Sequence, residues 1–252
     1  MGFFKKLFGG SAEPAKAPPA PPPAAARPAV PVFDAARIDW NEAAQADFFS
    51  RIIAPQIDES LCKFLARPPF AGNSQITASD AAILSAIVCG TESSRMMEVG
   101  GGFSTMAIHH AKVTKMLPGE LITIDDAPPT DLVELVDAHL ATPLQKVLLE
   151  DFLTLQRDEM LIIDLKRLSA STSDVDYLLR DILPKLNPGV LVGAYGIALH
   201  TMTASDARNL LLAFAGDAAR SEILLSTAIV QRDHDAILPD AGGVTSLWFR
   251  IR

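Results

Sequence analysis

Basic residues, cysteines and long apolar runs are what this chain has least of. Of its 252 residues, 22 are Lys or Arg against 30 Asp or Glu, a net charge of −8. Lys5, Lys6, Lys16 and Arg27 against Glu13 give residues 1–33 a charge of +3, which leaves −11 for the remainder. So acidic a body lacks the clustered Lys and Arg of a broad nucleic-acid groove. A local patch for a tRNA or a nucleotide stays open. Two cysteines, Cys62 and Cys89, make no disulfide framework, and with no His pair nearby they make no zinc signature. Both fall in apolar, helix-like stretches and are expected as buried free thiols in a reducing compartment. No apolar run reaches the roughly 18 residues of a spanning helix. No secretory h-region with a small-residue cleavage site follows the first lysines. The expected setting is cytoplasmic, with contact at the inner face of the membrane left open.

What is present is apolar substance, 49% of the residues, enough for one sizeable core. Composition divides the chain into three parts. Residues 1–33 are an Ala/Pro-rich tail that cannot build a core and is expected to be disordered. Its start, with Phe3, Phe4, Leu7 and Phe8 on one helical face, can serve as a weak membrane or partner hook. The myristoylation pattern fails because Lys6 stands where Ser or Thr is needed. Residues 34–90 show apolar positions at helical spacing and read as a helical extension. Pro68-Pro69 breaks it, Thr77-Ala78-Ser79-Asp80 starts its last helix, and Gly90 is placed as the C-cap.

Residues 91–252 alternate strand and helix. Strands are expected at Met97–Val99, Leu121–Ile124, Lys146–Leu149, Met160–Asp164, Val190–Val192, Glu222–Val230 and Thr245–Ile251. Helices are expected over Asp131–Leu140, Ser173–Leu186 and Ala204–Ala215. The class is α/β, with a mostly parallel seven-stranded sheet. The last two strands have no helix-length segment between them, so they are expected to pair antiparallel.

Glu98-Val99-Gly100-Gly101-Gly102-Phe103-Ser104-Thr105 marks the centre of this arrangement. An apolar strand enters it, and a helix capped by Ser104 or Thr105 leaves it. Three glycines let backbone approach a small ligand. An ordinary strand-to-helix turn is the bland alternative. In an open α/β sheet the ligand sits at the strands' carboxyl ends. Those ends carry Glu98, Asp125, Asp126, Glu150, Asp151, Asp164 and the Tyr195-Gly196 region. A carboxylate after the second strand suits a ribose, whose two hydroxyls can both donate to it. Asp151-Phe152 suits an adenine. Acids with no basic partner are poor for a pyrophosphate and acceptable for a sulfonium beside an ammonium. Capping and turn formation are the alternatives for Asp125, Asp126 and Asp151, and strand termination for Asp164.

With these residues the chain resembles the class I S-adenosylmethionine-dependent methyltransferases, and more narrowly a bacterial subgroup. Glu98 to Thr105 resembles the first motif, Thr123-Ile124-Asp125 the second, Glu150-Asp151-Phe152 the third and Ile162-Ile163-Asp164 the fourth. The narrower resemblance lies in Phe103-Ser104-Thr105, in Asp174 to Val192 and in Ser246-Leu247-Trp248. The resemblance covers about Ala78 onward. It implies a Rossmann-like fold with an antiparallel last strand and S-adenosylmethionine as cofactor. It implies that Glu98, Gly100, Gly101, Gly102, Phe103, Ser104 and Thr105 hold the methionine part, with Asp125 and Asp126 at the ribose. Asp151 and Phe152 would border the adenine, and Asp164 would lie under the methyl-transfer site. The subgroup's Ser-Ser-His after the fourth strand is replaced by Leu165, Lys166 and Arg167, and its His-Asp pair by Tyr195-Gly196. Asp164 alone cannot supply a divalent metal's oxygen ligands, so no metal is expected.

Methyl transfer can run without a strong base when nucleophile, methyl and sulfur are aligned. Tyr195 is the candidate for orienting an acceptor, and His200 for a base, although a lone His is more often structural. His109 and His110 read as packing or surface residues. His234, between Asp233 and Asp235, lies in a polar connection from Gln231 to Gly243 that can wall the acceptor pocket. The expected function is methylation of a small-molecule or glycan acceptor. A degenerate, non-catalytic relative tethered by its tail is the alternative, and a nicotinamide-dependent oxidoreductase is the third.

Overall fold

The structure, a computed structural model, describes residues 38–67, 76–128, 131–168, 172–197, 206–227 and 245–252. The tail through residue 33, Pro68-Pro69, His200, and the Gln231–Gly243 connection with its Asp233, His234 and Asp235 lie outside them.

Seven strands among the described residues form one sheet. They are β1 (Arg95–Val99), β2 (Glu120–Ile124), β3 (Ala138–Leu140), β4 (Met160–Asp164), β5 (Leu191–Ile197), β6 (Ser221–Ser226) and β7 (Thr245–Ile251). Their order is β3-β2-β1-β4-β5-β7-β6. β7 is antiparallel to both its neighbours, and the first five strands are parallel to one another. The doubly wound sheet with an antiparallel last strand is the Rossmann-like architecture implied by the resemblance. The chain leaves β1 toward β2 and β3, then returns to β4 on the other side, so the switch in strand order falls between β1 and β4.

Helices cover both faces. On one lie α1 (Glu42–Phe48), α2 (Glu59–Leu65), α3 (Ala78–Thr91) and α4 (Phe103–Lys115), packed on Met96, Leu121, Ile162, Leu191 and Trp248. On the other lie α5 (Leu149–Phe152), α6 (Leu165–Leu168), α7 (Thr172–Tyr177) and α8 (Asp206–Ala215), over residues such as Met97, Leu161, Val192 and Phe249. Strand alternation divides the two cores, because successive side chains point to opposite faces. Among the described residues no helix is long and apolar enough to cross a membrane.

α3 forms where Thr77 predicts it. The Thr77 hydroxyl accepts from the Asp80 N–H at 3.0 Å and donates to the Asp80 carboxylate at 2.9 Å. This closes a helix whose residues 79–88 are all buried. Its end differs from expectation. Gly90 lies inside α3, and Glu92 takes the left-handed cap at φ 49°. A Cβ on Gly90 would stand 2.8 Å from the carbonyl oxygen of Ile52. That glycine serves close approach rather than helix termination.

The expected helix over Asp131–Leu140 is a short turn at Val133–Leu135 followed by β3. Asp137 explains it. Its carboxylate accepts from the Leu121 N–H at 2.7 Å and from Lys112 Nζ, and its own N–H donates to the Leu121 carbonyl at 2.9 Å. These bonds fix the segment beside β2, where extended backbone continues the sheet. The strand expected at Lys146–Leu149 is correspondingly a turn at Leu144–Lys146 leading into α5. The thiols also depart from expectation. Cys62 is exposed and Cys89 half-buried, because Leu61 and Leu65 take the inward face of α2.

Candidate functional site

The backbone turns sharply where β1 ends. Gly100 has φ 85°, and its N–H donates to the Ile124 carbonyl at 2.9 Å, prolonging the β1–β2 ladder by one bond. A positive φ strains residues with a Cβ, so glycine is required here. Gly102 is the extended N-cap residue of α4, and its N–H donates back to Thr105 Oγ1 at 2.9 Å. The N-cap is thus Gly102 and not Ser104 or Thr105 as expected; Thr105, in the first turn, holds the Gly102 N–H, while Ser104 turns elsewhere.

Beneath the loop lies a closed polar network. Glu98 is fully buried. Its Oε2 accepts from the Thr105 hydroxyl at 2.6 Å and its Oε1 accepts from the Ser104 hydroxyl. The Tyr195 hydroxyl stands 3.2 Å from Glu98 Oε1 and closer still to Ser104 Oγ. Having one proton, it donates to one of them at a time. The Glu98 carboxyl is raised to about 7, with burial as the main cause, the three hydroxyls pulling the other way and the nearby Asp164 adding to the rise. Tyr195 is raised well above its usual range, by burial first and then by the fields of Glu98 and Asp164. Asp164 closes β4 opposite Tyr195 in the β4–β5 register, and both are only 2% exposed.

Above the sheet a cleft of about 300 Å³ opens at the carboxyl ends of β1 and β2. Val99 and Gly100 form one wall, Ile124, Asp125 and Asp126 another, and Thr142, Pro143 and Leu144 follow from the end of β3. Leu168 and Asp174 close the far side. Asp125 is buried, with Oδ1 accepting from the Ala127 N–H at 2.9 Å, while Asp126 is exposed at the rim. Among the described residues that line it, none is Lys or Arg. Among the described residues no cluster of His, Cys, Asp and Glu is arranged to hold a metal ion.

The expected site residues therefore separate into three groups. Gly100, Asp125 and Asp126 meet at the cleft. Glu98, Ser104, Thr105 and Tyr195 meet under the loop, with Asp164 nearby, so the Tyr195 hydroxyl expected to orient an acceptor is instead engaged below. Asp151 and Phe152 reach neither place. Phe152 is fully buried in the core, and Asp151 is exposed on α5. Thr154, just beyond them, accepts from Arg95 Nη1 at the start of β1, the opposite end of the sheet. The residues that occupy the position after β3 are Thr142, Pro143 and Leu144. A strand placed at Ala138–Leu140 would have revealed them. Asp174, not among the expected site residues, also lines the cleft, and its carboxylate accepts from the Gln145 N–H at 3.0 Å and so joins α7 to the turn after β3. The His109 Nδ1–H donates to the Leu135 carbonyl at 2.9 Å, and His110 stacks on Phe64 with ring centres 3.8 Å apart, so both are packing residues.

No protein-family model matches the chain, and no curated protein sequence does. Among solved structures, it is similar to the Podospora anserina methyltransferase PaMTH1 bound to SAH, with 14% identity, 84% of this chain and 95% of that one covered, and a TM-score of 0.43. A methyltransferase from Geobacter sulfurreducens gives 14% identity, 85% and 98% coverage and a TM-score of 0.43. The plantazolicin methyltransferase BpumL in complex with SAH gives 10%, 84% and 95%, with a TM-score of 0.41. At these values the similarity decides neither ligand nor reaction.

Proposed function

We propose that the cleft binds the nucleoside part of S-adenosylmethionine and that the chain methylates a small-molecule or glycan acceptor. The observation that carries this reading is the cleft's composition: Asp125, Asp126 and Asp174, with no basic side chain among the described lining residues, at the carboxyl ends of β1 and β2. Carboxylates accept hydrogen bonds from a ribose diol and favour a cation. Val99, Ile124, Pro143, Leu144 and Leu168 offer apolar walls for a purine, and Thr142 a polar contact at its edge. The donor set thus fits a cationic nucleoside. A dinucleotide's pyrophosphate would face three carboxylates at short range, which disfavours the nicotinamide alternative.

In this reading Asp125 takes the ribose hydroxyls and Asp126 shields the rim. Gly100 lets backbone approach the ligand. Glu98, Ser104 and Thr105 act from below, holding the loop in shape rather than touching the ligand. The cofactor supplies an electrophilic methyl on sulfur. The chain's contribution is alignment, which removes much of such a barrier without a strong base. The free thiols fit a reducing, cytoplasmic setting.

A non-catalytic binding module is the second reading. It is favoured by the near-complete burial of Asp164 and Tyr195, the two side chains nominated for the transfer site. Thermal-shift titration with S-adenosylmethionine, S-adenosylhomocysteine and NAD(H) separates cofactors, since saturation a hundredfold above Kd stabilises by about 2.7 kcal/mol. A shift with the sulfur nucleosides is expected, and its absence removes the first reading. Formation of S-adenosylhomocysteine over a panel of acceptors then separates enzyme from binding module.

A further inference from the structure

We propose that Tyr195 is a positioning residue: from β5 its hydroxyl holds Ser104 and Glu98, and through them sets the shape of the loop Gly100–Gly102. Three separate segments converge here. Glu98 comes from β1, Ser104 and Thr105 from the first turn of α4, and Tyr195 from β5, with β4 between β5 and β1. The tyrosine reaches across a whole strand, with Asp164, the last residue of β4, opposite it in the register.

The loop is tied at two points. Its N–H groups at Gly100 and Gly102 are fixed by the Ile124 carbonyl and by Thr105. Thr105 is fixed in turn by Glu98, and Glu98 by the other two hydroxyls. Removing the Tyr195 hydroxyl leaves Ser104 and a fully buried carboxylate short of one partner. An unmade bond to a buried charged group costs more than an ordinary hydrogen bond contributes. The groups facing Glu98 are Ser104 and Thr105 from α4, Tyr195 from β5 and the Asp164 carboxylate from β4. All three hydroxyls favour its ionised form, and Asp164 opposes it. Loss of one hydroxyl therefore moves the Glu98 titration to higher pH.

The test is hydrogen exchange in the full chain without ligand. Tyr195→Phe keeps the ring and removes the hydroxyl. Exchange across residues 99–106, corrected for intrinsic rates, is expected to accelerate roughly tenfold, while β2 stays as protected as in the wild type. Ser104→Ala removes the partner of the Tyr195 hydroxyl and also the Ser104–Glu98 bond, so the double variant is expected to exchange faster than Tyr195→Phe but by less than the sum of the two single effects. The pH midpoint of loop protection is expected to rise in Tyr195→Phe, a shift that loss of packing alone does not produce. Unchanged loop exchange in Tyr195→Phe, or additive effects in the double variant, overturns the proposal. Should Tyr195→Phe fail to fold, Tyr195→Met, which also lacks the hydroxyl, is measured by the same exchange and pH criteria. S-adenosylhomocysteine affinity is measured in parallel and is expected to fall about tenfold in both single variants, an arm that rests on the proposed function. Wild-type protein that binds no S-adenosylhomocysteine defeats that function while the exchange result still decides the role of Tyr195.

Discussion

The indole of Trp248 occupies the space where a side chain on Gly193 would stand. The two residues are partners in the β5–β7 register, and a Cβ on Gly193 would lie 2.5 Å from the ring. Trp248 is only 2% exposed, so the ring has little room to retreat. Gly193→Ala is expected to destabilise by roughly 1–3 kcal/mol through overpacking, against its usual entropic gain. Urea denaturation monitored by tryptophan fluorescence checks this, and an unchanged or raised midpoint contradicts it.

Acid is expected to stabilise this protein down to about pH 5. Burial raises Glu98 from 4.5 to about 7 and Asp80 from 3.8 to about 6. Between the unfolded and folded values the native state binds more protons than the unfolded chain, so stability falls as pH rises. The window runs from near pH 4 to pH 7, and each carboxyl contributes on the order of 3 kcal/mol at most. Asp58 and Asp137 are held below their usual value, by a backbone hydrogen bond from Leu61 and by Lys112 respectively. Their contribution is present above about pH 4 and lost below it, which closes the window on the acid side. Denaturation midpoints at pH 5 and pH 8 should differ in the wild type and converge in Glu98→Gln combined with Asp80→Asn. Equal slopes in both proteins would exclude these carboxyls as the source.

Asp137 is the anchor of β3. Asp137→Ala removes the acceptor for the Leu121 N–H and for Lys112, and is expected to cost about 1–2 kcal/mol. Amide exchange at Thr123 to Asp125 and at Ala138 to Leu140 should accelerate while β4 stays protected. Uniform acceleration across the sheet would mean that Asp137 stabilises the fold generally and not this edge.

Asp125→Asn separates the proposed ribose contact from the local turn. The amide oxygen can still accept from the Ala127 N–H, while the charge is gone. Hydrogen bonds to a charged group contribute about 1.5–3 kcal/mol. S-adenosylhomocysteine affinity, read by calorimetry, is therefore expected to fall about tenfold to a hundredfold with the melting temperature nearly unchanged. Unaltered affinity would remove Asp125 from the ribose.

Much of this architecture is legible in the sequence because local signals and tertiary demands agree. Thr77 and Asp80 announce the start of α3, and the buried strands Met160–Asp164 and Leu191–Ile197 are near-continuous apolar runs of the kind a parallel sheet buries on both faces. Gly100 signals the loop because its φ requires it. The misreadings occur where a distant partner decides. Residues 131–140 have acceptable helical spacing, and only the hold of Leu121 and Lys112 on Asp137 makes part of them a strand. Gly90 looks like a helix end because the carbonyl of Ile52, which needs its missing side chain, is remote in sequence. The binding side of the site follows from strand ends and was half visible. Asp125 and Asp126 were found, but Thr142 and Asp174 depend on where β3 ends. The link between Tyr195 and Glu98 spans 97 positions and leaves no local pattern.

The placing of β7 bears on how the sheet is made. Among the described residues β6 has no strand neighbour other than β7, which follows it in the chain yet lies between it and β5. During synthesis, β1 to β5 can assemble in a single parallel block as they emerge, while β6 must wait with both edges bare. A chain that has emerged only as far as Ser226 would therefore hold a five-stranded sheet whose β5 edge is open to any extended segment. That interval is when this protein is most exposed to mispairing, and when a chaperone would have most to shield.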